Sequence, residues 1–365
     1  MKNKILAINP GSTSTKIAVF NDEEKIFSQN IEHSKEDLQD FNDIFDQYEF
    51  RRNLILKLLA EQNIELASLN AVVARGGLLP PVASGAYLVN EDMIEQLHYY
   101  PQKRVKHASN LGAPIAKSIA DSIGVPAFIY DPVTVDEMED LAKVTGIPEM
   151  RRAALGHNLN MRAMAHHYAR LIDIPYEKLT LIVAHLGGGI TLTLHQNGRM
   201  VDMVSDEEGP FSPERSGGLP LFQTIDMAFN GQYDCGSMMK KVKNNSGLYA
   251  HLGTKDAREI EKRIADGDKH AALIYEAMAL SIAKSIGQLA VFAKGKVDGI
   301  VLTGGIAYST MITDWIKERI SFIAPVTVLA GEDEMQSLAS GALRVLLGKE
   351  KANEFKLQIP AGAKK

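Results

Sequence analysis

The sequence predicts an α/β protein assembled from two related nucleotide-binding halves. Residues 4–20 read KILAINPGSTSTKIAVF, where one apolar run enters a turn of small residues and a second apolar run leaves it. Residues 180–201, TLIVAHLGGGITLTLHQNGRMV, repeat the pattern. A third piece, VDGIVLTGGIAYS from Val297 to Ser309, adds a strand that ends in a double glycine. Two phosphate-gripping hairpins in one chain imply a duplicated fold, with two domains flanking a nucleotide cleft. That pattern points to phosphoryl transfer rather than to binding alone. The expected domains are 1–155, joined by a C-terminal helix at about 335–365, and 156–334.

The elements follow in order. Residues 4–20 form a hairpin around Asn9-Pro10-Gly11-Ser12. Ser34 with Asp37 three residues on forms a capping box, and apolar spacing from there to Gln62 predicts helix. Ala71–Ala74 is a short strand leading into Arg75-Gly76-Gly77. Residues 108–123 are helical, and Ala127–Tyr130 is a strand that delivers Asp131 at its C-terminal tip, where α/β folds keep their sites. A long helix is expected over 151–172, containing His157, and a hairpin over 180–204. Residues 207–220, rich in glycine and proline, read as a loop carrying Arg215. Helices are expected at 223–230, 254–265, 268–293, 310–320 and 335–347, with strands at 299–303 and 326–329.

Length and composition exclude several classes. At 365 residues two domains are the default, and 45% hydrophobic with 23% charged residues is ordinary for a soluble globular protein. A net charge of −5 supplies no basic field for nucleic acid, so anionic substrates must be held by local cations. The single cysteine, Cys235, excludes an intrachain disulfide and a multi-cysteine metal site, and reads as a stray thiol. No secretory signal opens the chain, and the most apolar stretch, 271–293, carries Glu276, Lys284 and Gln288. It fits a buried helix better than a membrane span, so a cytoplasmic location is expected, without membrane contact.

Two loops carry the chemistry. In Asn9–Lys16, glycine and small hydroxyl residues let backbone N–H groups approach phosphate oxygens; Ser12, Ser14 and Lys16 add donors, and Asn9 can hold the water shell of Mg²⁺. A plain turn is the competing reading, since Pro-Gly and Ser-rich turns are common. His185-Leu186-Gly187-Gly188-Gly189 tilts the balance, because three glycines inside a strand pair sacrifice conformational entropy where another body approaches the backbone. Neither loop is a P-loop, nor a dinucleotide fingerprint opening a helix. The chain returns to a strand each time, which points to the actin-like, ribonuclease H-like ATPase architecture.

Together these motifs resemble the acetate and butyrate kinase family. INPGSTSTK is similar to the family's opening motif, HLGGG to its second hairpin with Gly188 where acetate kinases usually carry asparagine, ERSGGLP to its arginine loop, and TGGIA to its adenosine-side turn. The resemblance spans residues from about 3 to about 348, and the HLGGG and ARGG variants lie closer to the butyrate branch. It implies ATP-dependent phosphorylation of a small carboxylic acid such as butyrate, giving an acyl phosphate and reversible to make ATP. It also implies Mg²⁺, a homodimer or higher oligomer, an N-terminal acyl-substrate domain and a C-terminal ATP domain. A carboxylic acid with a pKa of about 4 is already ionised and needs no general base, so the difficulty is bringing an anion to a polyanion. Arginine suits that task. The resemblance assigns catalytic roles to Arg75, Asp131, His157 and Arg215, and metal binding to Asn9 and Glu334, with Glu332 and Asp333 as rivals of Glu334. His185 and Gly187–Gly189 fall to the ATP phosphates. Thr254, Lys255, Asp256, Gly304, Gly305 and Ile306 fall to the adenosine side, although Thr254 also suits a helix N-cap. His166-His167 reads as helix surface.

Acyl selection is expected at Asn9, Arg75, Gly76, Gly77 and Gly156. Where acetate kinases carry bulky residues after the arginine and an aromatic before the histidine, this chain has glycine, and the missing side chains would leave room for a four- to five-carbon acid. The alternatives are an acetate or propionate kinase, and a chaperone-type or cytoskeletal actin-like ATPase.

Overall fold

The computed structural model describes residues 2–99, 107–331 and 334–358. The chain divides into two compact units, Met1–Asp136 with Asp333–Lys365, and Glu137–Glu332. Strands β1 (Lys4–Pro10), β2 (Ser14–Asn21), β3 (Glu24–Glu32), β4 (Ala71–Arg75), β5 (Ala86–Leu88) and β6 (Ala127–Tyr130) belong to the first unit. Strands β7 (Leu181–Leu186), β8 (Ile190–Gln196), β9 (Arg199–Val204), β10 (Gly299–Gly304) and β11 (Val326–Ala330) belong to the second, and β12 (Asn353–Glu354) returns to the first.

The first sheet runs β12-β5-β6-β4-β1-β2-β3 and the second β11-β10-β7-β8-β9. Within each, an antiparallel three-strand meander is followed by two strands added in parallel on its far side. Thus β1 pairs antiparallel with β2 and parallel with β4, as β7 does with β8 and β10. The duplication seen in two hairpins extends to five strands of each sheet, and β5, antiparallel to β6, and β12 extend the first sheet alone. The sequence reading missed the third meander strand of the first unit, β3. It is largely exposed and lacks an apolar run to mark it.

Strand alternation builds the second unit's two cores. Ile182, Ala184, Leu186, Leu192, Leu194, Ile300 and Leu302 face the long helix Lys269–Phe292. Leu181, Val183 and Val301 face helix Asn158–Leu171. In the first unit Ile5, Leu6, Ala7 and Ile8 are fully buried. Helices Gly112–Asp121 and Glu334–Leu346 pack on that sheet.

Several expectations are corrected. The domain boundary lies at residue 136 rather than 155. Glu137 accepts from Arg162 and from the Met200 N–H, the Glu139 N–H bonds Val201, and Met138, Ala142 and Ala154 enter the second unit's core. The helix expected over 151–172 begins at Asn158 with His157 as its N-cap. Upstream, Arg151 bridges to Val144 and the Arg152 guanidinium bonds Ala142 and Met203 carbonyls, which holds that stretch extended. The segment from Ser34 to Gln62 is broken into helix Lys35–Leu38, a 3₁₀ turn Ile44–Gln47 and helix Tyr48–Glu61, and the Ser34–Asp37 capping box forms. The cap of helix Ala257–Ala265 is Asp256, not Thr254, because the Asp256 carboxylate accepts the Arg258 N–H.

Candidate active site

In the first unit, two strand ends and a helix start bring the predicted residues together. Asn9 lies near the end of β1 and Arg75 ends β4, its neighbour in the sheet. Glu334 opens helix Glu334–Leu346, which packs against both strands. The Asn9 amide donates to Glu334 Oε2 at 2.5 Å, and Arg75 Nη1 lies 3.2 Å from the same carboxylate. Glu332 and Asp333 lie outside the described residues. Among the described residues no group of three acidic, histidine or cysteine side chains is arranged as a metal cage. Mg²⁺ binding commonly uses only one or two protein oxygens beside water and phosphate, which matches an Asn–Glu pair.

Arg75 is held from behind. Its backbone pairs with Tyr130 of β6, and the Leu78 N–H just after it donates to Asn110 Oδ1 at 2.8 Å. His107, missed by the sequence reading, lies within electrostatic reach. Burial first, and then the Arg75 charge, hold its imidazole below the usual range.

Asp131 follows β6 with φ 38, an unusual backbone for a non-glycine residue. Its carboxylate is buried, and Oδ1 accepts from Ser84 Oγ at 2.7 Å and the Gly85 N–H at 2.8 Å. That oxygen therefore fixes the turn ahead of β5.

Of the glycines expected to open an acyl pocket, Gly76 and Gly77 leave no space where a side chain would stand. A Cβ on Gly76 would come within 2.5 Å of the Pro132 Cβ. One on Gly77 would meet Asn110 Oδ1 at 2.5 Å and Leu97 at 2.7 Å. A Cβ on Gly156 would approach the Met203 sulfur at 3.1 Å. At Gly76 and Gly77 the direction a side chain would take is filled by protein, so these residues are glycine because neighbours pack against the backbone; at Gly156 the contact is tight but made only by side-chain atoms of Met203 and Thr191.

In the first loop, Ser12, Thr13 and Lys16 are exposed, and Lys16 stands opposite Asn9 in the β1–β2 register. Ser14 is half-buried, with its carbonyl taking the Gly11 N–H at 2.8 Å.

The second unit gathers His157, His185, Gly187–Gly189 and Arg215. His185 continues the Leu181–Val183 face of β7 and is buried, with Nδ1 2.9 Å from the Asn160 amide. The His157 ring stacks on it, and His157 Nδ1 lies 3.0 Å from Thr191 Oγ1. A Cβ on Gly189 would meet Arg215 Nη1 at 2.6 Å and His157 Cε1 at 3.4 Å, so only glycine lets the hairpin tip lie against both. Ser212 Oγ donates to the Gly188 carbonyl at 2.6 Å and ties the arginine loop to the tip. The Arg215 guanidinium is paired with Asp206. Asp206, Asn160 and Thr191 went unnoticed in the sequence, since nothing in their spacing separates them from ordinary polar residues.

On the adenosine side, Lys255, Asp256, Gly305 and Ile306 line one cavity of about 410 Å³ with Arg258, Tyr308 and other residues. That lies within the usual size of small-ligand sites. Thr254 and Gly304 are not among its walls. The Thr254 hydroxyl bonds Glu259, and Gly304, at φ 88, lets β10 turn close beside Leu186. The Asp256 carboxyl is lowered to about 2 by hydrogen bonds from Arg258. Lys255 pairs with Glu214 at 2.9 Å. His166 and His167 are half-buried on helix Asn158–Leu171, and Cys235 is exposed.

Residues 150–330 match the Acetokinase family. The chain is 48% identical to butyrate kinase 2 of Clostridium acetobutylicum over 98% of this chain and all of that one. It is 47% identical to butyrate kinase 1 of the same organism, over 97% of this chain and 99% of the other. Among solved structures, acetate kinase from Porphyromonas gingivalis superposes with a TM-score of 0.80 at 18% identity, covering 94% of this chain and 100% of that one. Acetate kinase from Entamoeba histolytica gives 0.76 at 18%, covering 93% and 98%. These likenesses establish the duplicated actin-like ATPase fold that the strand order describes.

Proposed function

Because the chain belongs to the acetokinase family, we propose that it transfers the γ-phosphoryl group of ATP to butyrate, or to a similar short or branched acid, and runs the reverse reaction to make ATP. The observation that carries this reading is the match, over nearly the whole chain, to two proteins named butyrate kinase.

The chemistry is electrostatic. The acid arrives ionised, so the protein must offset repulsion between its carboxylate and the phosphates. Arg75 and Arg215 supply the cations. Each rests on an acid, Glu334 and Asp206 respectively, with its side chain about a quarter to a third exposed. Ion pairs with that much solvent contribute only about 0–1 kcal/mol, so an anionic substrate can displace either carboxylate. His157 donates toward the charge that develops on the transferring phosphoryl group. Asp131 supports this set by fixing Ser84 and Gly85. Asn9 and Glu334 would hold Mg²⁺, which neutralises charge on the β- and γ-phosphates when bound. The Gly187–Gly189 tip and His185 serve the ATP phosphates, and the cavity at Lys255, Asp256, Gly305 and Ile306 takes the adenosine.

Helix Leu221–Phe229 supports the expected homodimer. None of its residues is buried, and Phe222 and Phe229 are 84% and 85% exposed beside Leu221 and Ile225. An exposed apolar face of that kind suits a contact with a second copy of the chain. Phe222→Glu should convert a dimer to a monomer in sedimentation. The described residues contain no helix long and apolar enough to cross a membrane.

The test is carboxylate-dependent ADP release over an acid panel. At about 0.8 kcal/mol per buried methylene, two extra methylenes give butyrate a kcat/KM advantage over acetate of roughly tenfold. An equal or better value with acetate would make this an acetate kinase. Turnover independent of any acid would leave only a general ATPase.

A further inference from the structure

Arg51 is fully buried on helix Tyr48–Glu61, yet both terminal nitrogens of its guanidinium reach one place, the back of the Gly11–Thr15 loop. Nη1 donates to the Gly11 carbonyl at 2.8 Å, the Ser14 carbonyl at 2.9 Å and Thr15 Oγ1 at 3.0 Å. Nη2 donates to the Ser12 carbonyl at 3.2 Å. Gln47 Oε1 receives Nε at 3.0 Å and Nη2 at 2.8 Å, which sets the plane of the fork. His33 braces the same loop, with Nε2 2.8 Å from Thr15 Oγ1 and its N–H on the Thr13 carbonyl.

In a trans peptide the C=O of one residue and the N–H of the next point in opposite directions. Carbonyls of Gly11 and Ser12 drawn inward onto Arg51 therefore turn the N–H groups of Ser12 and Thr13 outward. Both residues are exposed, and among the described residues no protein acceptor meets either N–H. Outward N–H groups on successive residues are an anion site. The cation behind them is also uncompensated. Its partners are carbonyls, a hydroxyl and an amide, and among the described residues no carboxylate pairs with it. A buried charge without a counter-ion is costly, which favours a site that an anion later completes.

We propose that Arg51 is a positioning residue for phosphoryl transfer, which aims the Ser12 and Thr13 N–H groups at the anionic phosphoryl group and places a fixed positive charge beneath it. This rests on the reading of the chain as a carboxylate kinase.

The test uses the full chain as wild type, Arg51→Lys, Arg51→Ala and Gln47→Met. Arg51→Lys keeps the charge but not the fork, and should lower kcat per folded molecule by about ten- to a hundredfold with the KM for ATP little changed. Added guanidinium ion should raise the kcat of Arg51→Ala. Wild-type kcat in folded Arg51→Lys, with only a lowered Tm, overturns the proposal. Should neither arginine variant fold, Gln47→Met loosens the fork while keeping it, and an unchanged kcat there has the same force. Independently of turnover, inorganic phosphate should shift the Ser12 and Thr13 amide resonances in the wild type and not in Arg51→Lys. That shift without carboxylate-dependent turnover would sink the functional reading, and with it the role in transfer, and leave only the Arg51-built anion site standing. Absence of the shift from the wild type would overturn the proposal.

Discussion

The imidazoles of His157 and His185 lie stacked, with centroids 3.8 Å apart and planes 12° from parallel. One comes from the cap of a helix and the other from the adjoining strand, so the inner ring forms a platform for the outer. His157→Ala should lower kcat by about a hundredfold or more, as losing a donor to developing charge does. His185→Ala, which removes the platform, should cost less in kcat and raise the KM for ATP. Steady-state kinetics with both substrates varied checks this, and identical effects of the two changes would deny them separate roles.

Arg75 and Glu334 should separate in their metal dependence. Arg75→Ala should lower kcat by orders of magnitude at any Mg²⁺ concentration, since it removes the cation itself. Glu334→Gln should instead raise the Mg²⁺ needed for half-maximal rate. A Mg²⁺ titration of each variant is the measurement, and an unchanged midpoint in Glu334→Gln would remove it from the metal.

Gly77→Val is a stability change before it is a specificity change. The new Cβ and methyls would be driven into Asn110 and Leu97, so overpacking of about 1–3 kcal/mol is expected. Thermal unfolding should register it, while the ranking of acids among the surviving folded molecules stays as in the wild type. A switch to acetate at unchanged Tm would restore Gly77 to the acyl pocket.

Burial, and then the Arg51 charge, lower the His33 imidazole from 6.5 to about 4. Between those values the unfolded chain binds a proton that the folded one refuses. Stability is therefore full above about pH 6.5 and falls as the pH drops toward about 4. Fully buried His195 pushes the same way. His33→Gln should flatten this part of the slope without abolishing it. Urea midpoints measured across that range check the sign.

The two hairpins and the strands ending at Arg75, Tyr130 and Gly304 were legible in sequence because turns and strand ends announce themselves through glycine, proline and apolar runs, whereas the exposed β3 and the short β5 and β12 were not. Two of the corrected helices show where such signals stop. Arg152 binds carbonyls on distant segments and so overrides the helical spacing ahead of His157. Asp256 takes the cap from Thr254 by reaching Arg258. The glycines beside Arg75 were visible, but their meaning was not. Whether a missing side chain leaves a void or admits a neighbour depends on Pro132 and Asn110, which lie 56 and 33 residues further along the chain. Arg51 was hidden for the same reason. On its helix it reads as a surface cation, and only tertiary packing turns it under the loop.

The first unit is not continuous in the chain. Helix Glu334–Leu346 and strand β12, which pairs in parallel with β5, come back to it after the whole second unit has been traversed. On a ribosome, the contiguous segment 137–332 is synthesised and free to collapse while its predecessor still lacks a helix and an edge strand. Glu334 is delivered by the same late segment. The nascent protein thus acquires its proposed metal ligand only when nearly all of the polypeptide has been made, and an incomplete chain released early carries Arg75 without the acid that holds it.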